Sequence, residues 1–207
     1  MLPQFEITID KQDLANLEEV FKDAPHKLNK VLYRGINDAT AKMRTHAIHT
    51  IVLETGLPKR LVRWRVWAHK ANSRNLYGHM RLGKKGWSLM DFRPIQLAEG
   101  VEVRVGRRQF VRARSFLASM PHTGEEVWMR RDLGPVPMPR LQKPSAKPRK
   151  PSLRRKGRFP ILKQHSESPS AIIDRTGAAA GIHEVGTAYL HKRIMAQAEL
   201  IFTGKRR

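Results

Sequence analysis

The chain has no cysteine among its 207 residues. That absence excludes disulfide bonds, thiol catalysis and thiolate metal sites, so no disulfide cross-link stabilises the fold. No apolar run approaches the roughly eighteen residues of a membrane span. The first residues show neither the basic region nor the apolar stretch of a signal peptide. We therefore expect a globular protein that makes no membrane contact and stays in the cytoplasm where it is made.

Acidic residues are scarce. The chain has 18 Asp and Glu against 40 Lys and Arg, which gives a formal net charge of +22. This charge is concentrated in the middle of the chain. The formal net charge is −1 for residues 1–54, +21 for residues 55–165 and +2 for residues 166–207. Such a block favours contact with a polyanion, since like charges repel in a self-contained surface. The alternative is a charged, solvated surface.

Motifs for catalysis are also missing. The chain has no Gly-x-Ser-x-Gly segment and no Walker loop. His46 and His49 lie three residues apart on a predicted helix, but no third metal ligand accompanies them. Glu125 and Glu126 are adjacent at a predicted turn, where their side chains diverge, so we interpret them as solvated charges rather than an acid/base pair. The sequence predicts no enzyme, no cofactor and no metal site.

Apolar residues recur at steps of three or four after Pro25, which predicts one long amphipathic helix toward Glu54. Gly56 is typical of a helix end, and Pro58 is suited to starting a short helix. An earlier short helix is predicted within residues 10–23, and a C-terminal helix over residues 182–202. The predicted inner positions of the long helix are Leu28, Leu32, Ile36, Ala39, Met43, Ala47 and Ile51.

Strands are predicted between the helices. They cover residues 5–9, 66–68, 76–82, 101–105, 110–120 and 126–130, where β-prone residues dominate or apolar residues alternate with polar ones. Helices at both ends with strands between them indicate an α+β fold, with both helices packed on a mostly antiparallel sheet. We predict an α+β domain over residues 1–134, an extended arm over 135–160 and a C-terminal helical segment over 161–207 that returns to the same core.

The arm is the clearest change in composition. Residues 135–160 contain seven prolines, and residues 140–158 contain nine basic side chains and no acidic one. Such a segment cannot bury a core. It is either a plain linker or an arm that orders on DNA phosphate or on an acidic face of a neighbouring subunit. The nine candidate contact residues are Arg140, Lys143, Lys147, Arg149, Lys150, Arg154, Arg155, Lys156 and Arg158.

The four tryptophans have two interpretations. Trp64, Trp67, Trp87 and Trp128 lie near arginines in the sequence, a pattern that suits stacking on unpaired bases. Burial in a core or in a subunit interface is the commoner role of tryptophan, and we favour it.

Two β-prone runs, residues 113–120 and 126–131, flank a turn containing Pro121 and Gly124. This pattern predicts a hairpin, since glycine supplies the positive φ that such turns need. Later come Arg-Phe-Pro-Ile at residues 158–161 and Ser-Pro-Ser at 168–170. In this order the segments resemble the minor tail protein Z family of tailed bacteriophages, the lambda-type tail completion proteins. The resemblance marks an assembly hairpin with Phe116, Gly124, Trp128, Arg130 and Arg131.

The resemblance extends upstream to Thr-Gly-Leu-Pro at residues 55–58, Trp-Ser-Leu-Met-Asp-Phe at 87–92 and Glu-Gly-Val-Glu-Val-Arg-Val at 99–105. It implies a structural virion protein at the head-proximal end of a phage tail that is needed for head–tail joining. The expected partners are the tail tube, the tail terminator, the tape measure and further copies in a ring of six, with the arm contacting a neighbour or DNA phosphate. The alternative from the residues alone is a nucleic-acid-binding protein without sequence specificity.

Overall fold

The computed structural model describes residues 4–7, 15, 18, 19, 21, 22, 25–120, 124–130 and 161–203. Their contacts divide the chain into two compact units. The first comprises Met1–Trp87, Val105–Arg108 and Ser166–Arg207, and the second comprises Ser88–Arg104 and Gln109–His165. Helices packed with antiparallel sheets confirm the predicted α+β class.

Within the described residues, the first unit contains four helices, namely α1 (Pro25–Thr55), α2 (Lys59–Arg63), α3 (Pro169–Thr176) and α4 (Ala178–Thr203). The long helix was predicted with nearly these bounds. Every predicted inner position of α1 is buried, from Leu28 at 8 % exposed to Ile51 at 0 %. A 3.6-residue period therefore located this face of the core correctly.

The C-terminal helix α4 packs along α1, whereas the sequence predicted only that it returns to the core and packs on a sheet. A Cβ atom built on Gly35 of α1 would lie 2.8 Å from Cγ1 of Ile194, so the missing side chain lets the helices approach closely. Beside this contact, the Nε atom of Arg193 donates a hydrogen bond to Oδ2 of Asp38 over 2.8 Å. Close packing and charged contacts thus join these two helices.

A three-stranded antiparallel sheet covers α1 on another side. It is formed by β1 (Gln4–Ile7), β2 (Val66–His69) and β3 (Gly78–Leu82) in the order β1-β3-β2. A Cβ atom on Gly78 would lie 2.5 Å from Cγ2 of Ile36 and 2.8 Å from Oγ1 of Thr40, so the sheet lies close to the helix. The buried side chains of Met80 and Leu82 point to this inner side.

Glycines end α1 and secure the turn beyond it. Gly56 has φ +70°, the left-handed conformation that its position after the helix predicted. Gly106, which also has positive φ, donates its N–H to the carbonyl oxygen of Thr55 over 2.8 Å. A Cβ atom there would overlap the carbonyl oxygen of Glu54. The turn can therefore reach the exposed carbonyls at the end of α1 only with glycine.

The second unit contains a 3₁₀ turn (Leu89–Phe92) and two three-stranded sheets. The first sheet has the order β4 (Ile95–Gln96), β5 (Gly100–Val105), β6 (Arg108–Ala113), and the β5–β6 turn clusters with the first unit. The second has the order β7 (Ser115–Met120), β8 (Gly124–Arg130), β9 (Ile161–Lys163). The described strands therefore divide among three sheets rather than forming one.

Some predicted boundaries were wrong. Residues 110–120 do not form one strand, because Arg114 has φ +60° and separates β6 from β7. The helical region after the arm starts earlier than residue 182: α3 begins at Pro169, capped by the Ser168 side chain, and α4 follows Gly177. Most of the predicted short helix in residues 10–23 lies outside the described residues. Within the described residues, no helix is long and apolar enough to cross a membrane.

Candidate assembly surface

The predicted hairpin is present as strands β7 and β8. Its antiparallel register places Phe116 opposite Trp128 and Met120 opposite Gly124. Gly124 has φ +68°, which confirms that glycine supplies the positive φ at this turn. Arg130 is the last residue of β8, whereas Arg131 lies outside the described residues. Four of the five assembly residues, Phe116, Gly124, Trp128 and Arg130, thus lie in one hairpin.

Side-chain hydrogen bonds brace the hairpin. The indole N–H of Trp128 donates to the carbonyl oxygen of Ala118 over 3.0 Å. On the outer edge of β7, the N–H of Leu117 donates to Oε1 of Gln96 over 2.8 Å, and Nε2 of Gln96 donates to the carbonyl oxygen of Gly100 over 3.0 Å. Because Gln96 occupies a backbone group of β7, this edge is partly closed to strand pairing.

Strand β9 forms the opposite edge of the sheet. Arg130 at the end of β8 pairs with Ile161 at the start of β9, so the two ends of the intervening segment are cross-strand neighbours. That segment contains the whole predicted arm and its nine basic candidates, which lie outside the described residues. Ile161 and Leu162 are each 40 % exposed, so this edge strand carries apolar side chains at the surface.

A buried carboxylate lies in the middle of this unit. Glu126, only 8 % exposed, accepts a hydrogen bond from Oγ of Ser88 over 2.5 Å and forms an ion pair with Lys163. Burial raises the pKa of Glu126, but the hydrogen bonds from Lys163 and Ser88, with the charges of Lys163 and nearby His165, bring that pKa below its ordinary value. The group is therefore ionised at neutral pH and joins three separate segments.

The interpretation of Glu125 and Glu126 as two solvated charges was wrong for Glu126. The residues do diverge, but Glu125 is exposed while Glu126 points into the unit. Sequence analysis also missed Ser88 and Lys163 as its partners. Lys163 pairs in register with Trp128, one diagonal step from Glu126, yet thirty residues separate β8 from β9 along the chain. No local pattern brings such distant residues together.

We expect Glu126→Gln to lower the free energy of unfolding by about 2 kcal/mol at pH 7, because it weakens two charge-assisted hydrogen bonds at a buried site. The folded-state pKa is lowered, so the stabilisation is present above the unfolded pKa and is lost as pH falls through the folded value. Urea unfolding at pH 7 and about pH 3 should show the difference shrinking at low pH. The exposed Glu125→Gln is the matched control, and an equal loss from both variants would contradict the assignment.

The structure separates the four tryptophans. Trp87 is buried, its indole N–H donates to the carbonyl oxygen of Leu61 over 3.4 Å, and Trp128 is half-buried in the hairpin. Trp64 is 73 % exposed and Trp67 is 45 % exposed, so core burial was the wrong prediction for these two. Burial in a subunit interface stays a prediction for both.

His46 and His49 lie on α1 and line an open groove of about 230 Å³ with Lys42, Lys59 and the apolar Ile48 and Val52. Within the described part of the chain, no group of three or more His, Cys, Asp or Glu side chains is placed to hold a metal ion. The two lysines make this groove basic, and its histidines have no acidic neighbour among its lining residues.

No protein-family model, no curated protein and no solved structure matches this chain.

Proposed function

We propose that the protein is a structural component of a phage particle, a tail completion or neck protein at the head-proximal end of the tail. In this role it joins heads to tails through contacts with the tail tube, the tail terminator and the tape measure, and it performs no catalytic step. The observation that carries the proposal is the β7–β8 hairpin, where Phe116, Gly124 and Trp128 of the resembling segments form one braced unit.

The other segments that resemble the tail protein family support the proposal, because they also lie at turns or ends of the secondary-structure elements. Residues 55–58 form the step from α1 to α2, and residues 87–92 contain the 3₁₀ turn. Ser168 caps α3 and Pro169 is its first residue. Segments with such fixed roles at element ends are expected to keep their order within a family that shares a fold.

Exposed apolar side chains in the second unit support self-assembly. Ile95 of β4 is 59 % exposed and Val111 of β6 is 44 % exposed, in addition to Ile161 and Leu162 on β9. Isolated exposed apolar residues are common, but short edge strands that carry them are suited to burial between subunits. In the proposed setting, six copies close into a ring, and repulsion between their like charges is offset by acidic partners or by salt.

Loss of the protein is expected to leave heads and tails that are complete in appearance but unjoined, because a completion protein acts after both have been built. The measurement is electron microscopy of lysates from a phage in which the gene carries an early stop codon, with the gene supplied in trans as the control. Absent tails, or empty unpackaged heads as the main product, would contradict this role.

The alternative function is a free nucleic-acid-binding protein, and the exposure of Trp64 and Trp67 favours it. Purification of assembled tails distinguishes the two. A completion protein is retained on tails at a fixed number of copies per particle after washing in high salt, whereas a free nucleic-acid-binding protein is lost.

A further inference from the structure

A second basic region lies in the first unit, in a part of the sequence separate from the arm. Residues 59–85, which form α2, β2, β3 and their connections, contain nine Lys and Arg residues and no Asp or Glu. Within the described residues, none of these nine side chains forms an ion pair with a carboxylate. Their charge is therefore available to an anionic partner.

The outer face of the β1-β3-β2 sheet places aromatic and basic side chains side by side. Trp67 of β2 is the cross-strand partner of Arg81 of β3, and His69 is the partner of His79. Strand residues two apart share a face, so these four side chains form one outward surface. We call it the stacking face: Trp67, His69, His79 and Arg81.

Hydrogen bonds tie the scaffold behind the stacking face to α1. Arg44 of α1 donates from Nε to the carbonyl oxygen of Val66 over 2.9 Å and from a terminal nitrogen to that of Arg63 over 3.2 Å. At the other end of β2, Nδ2 of Asn37 donates to the carbonyl oxygen of Ala71 over 3.0 Å. The connections on both sides of β2 are thus tied to α1, which keeps the outward side chains in a fixed arrangement.

The two histidines extend the aromatic surface. Their rings are stacked, with centroids 4.3 Å apart and planes inclined by 15°. Burial lowers the pKa of His79, and the charges of His69 and Arg81 lower it further, against an opposing effect of Glu6. A neutral ring suits this stack, because two adjacent imidazolium ions would repel each other. Glu6 of β1 is the cross-strand partner of His79 on the same outward face, and it accepts a hydrogen bond from the hydroxyl of Tyr77 over 2.5 Å.

We propose that the stacking face binds single-stranded nucleic acid, with unpaired bases stacked on Trp67 and the histidine pair and phosphates contacting Arg81 and the surrounding lysines and arginines. This arrangement of aromatic rings in a basic surface is how proteins hold single strands without reading their sequence. The site is independent of the proposed role in tails, because it is formed entirely by the first unit and uses none of the assembly residues.

An acidic protein would satisfy the charge of this region but not its exposed aromatic rings. Trp67 is 45 % exposed within a sheet whose other face is packed, and Trp64 is 73 % exposed at the end of α2. Two large aromatic rings exposed within one basic segment, residues 59–85, suit a partner that buries apolar area as well as charge. Bases offer flat aromatic surfaces and phosphate charge together, whereas duplex DNA keeps its bases stacked inside.

The test measures fluorescence anisotropy of a labelled fifteen-nucleotide dT strand, an rU strand of equal length and a duplex of equal length, each titrated with the full chain. Trp67→Ala should weaken single-strand binding about tenfold and leave duplex binding unchanged, while Trp67→Phe should retain most of the affinity. Met195→Ala, which removes an exposed apolar side chain on α4, is the matched control. Arg81→Gln should reduce the slope of log affinity against log salt by about 0.7.

Tighter binding of either single strand than of the duplex, lost with Trp67→Ala but not with Met195→Ala, would support the stacking face. The ratio of dT to rU affinities then identifies the preferred sugar. An equal loss for single strand and duplex, or no loss, would overturn the proposal. Competition by polyglutamate as effective as by unlabelled dT would overturn it in favour of an acidic protein partner. Thermal unfolding of Trp67→Ala verifies that the exposed substitution leaves the fold intact.

Discussion

Replacing Gly86 with alanine is expected to lower the free energy of unfolding by about 3 kcal/mol and the Tm by about 10 °C. A Cβ atom on Gly86 would overlap the carbonyl oxygen of Ser166 and lie 2.7 Å from its carbonyl carbon. Both are backbone atoms, which cannot rotate away as a side-chain end can. The clash must therefore separate two segments of the first unit.

The contact at Gly86 is costly to disturb because hydrogen bonds hold the same segments together. The N–H of Ser166 donates to the carbonyl oxygen of Trp87 over 2.9 Å, and the N–H of Trp87 donates to Oγ of Ser166 over 3.1 Å. Any shift that accommodates a methyl group also stretches these bonds beside the buried Trp87. The structure around Gly86 can therefore relax only a little. For this reason we expect a loss of unfolding free energy at the upper end of the range of about 1 to 3 kcal/mol that is typical of overpacking.

Gly181→Ala is the matched control for Gly86→Ala. Gly181 lies in α4, and nothing lies within 4 Å of a Cβ atom built there. Alanine at this helical position is expected to raise stability by about 0.5 to 1 kcal/mol. Thermal unfolding followed by circular dichroism measures both variants. A stable Gly86→Ala variant, or two variants that change Tm equally, would contradict the packing at Ser166.

Local patterns predicted the features that depend on neighbours in the sequence. The period of α1 identified its buried face from Leu28 to Ile51, because one helix turn brings those residues to one side. Gly56 and Gly124, which both have positive φ, were predicted as turn residues because glycine adopts positive φ without steric cost. The start of α3 has an equally local signal, since Ser168 caps and Pro169 begins it, but these residues were interpreted only as a family motif.

Features that depend on distant segments could not be predicted. Arg114 interrupts a continuous β-prone run with a positive φ that no property of arginine indicates. Glu126 is buried because Ser88 and Lys163 supply its hydrogen bonds from other parts of the chain. Trp67 is exposed because Val66 takes the inward position against α1, and a choice between two strand faces requires knowledge of what packs behind them.

Neutralising the basic arm is expected to abolish particle completion while leaving the fold unchanged. The variant replaces Arg149, Lys150, Arg154, Arg155 and Lys156 with glutamine. A control variant removes the same charge from exposed residues elsewhere, namely Lys27, Lys30, Arg34, Arg104 and Lys192. Infectious titre from a plasmid that complements the stop-codon phage measures completion. Restoration of titre by the control, but not by the arm variant, is the expected result.

The pairing of Arg130 with Ile161 allows a second variant that removes the arm altogether. Because these residues are cross-strand neighbours, an Asn-Gly pair can replace residues 131–160 as a two-residue hairpin loop between β8 and β9. This variant should unfold within a few degrees of the full chain, since the pairing of β8 with β9 is kept. It should nevertheless fail to complete tails, which separates loss of the arm from loss of the fold.

Salt dependence identifies what the arm contacts. Each phosphate that the arm neutralises on DNA releases counterions, so log affinity falls against log salt with a slope of about −0.9 per contact. If the arm contacts phosphate, neutralising five charges flattens the slope measured on duplex DNA. An unchanged slope with failed completion would mean that the arm contacts a protein surface. Normal DNA binding together with normal completion would reduce the arm to a linker and refute its role in assembly.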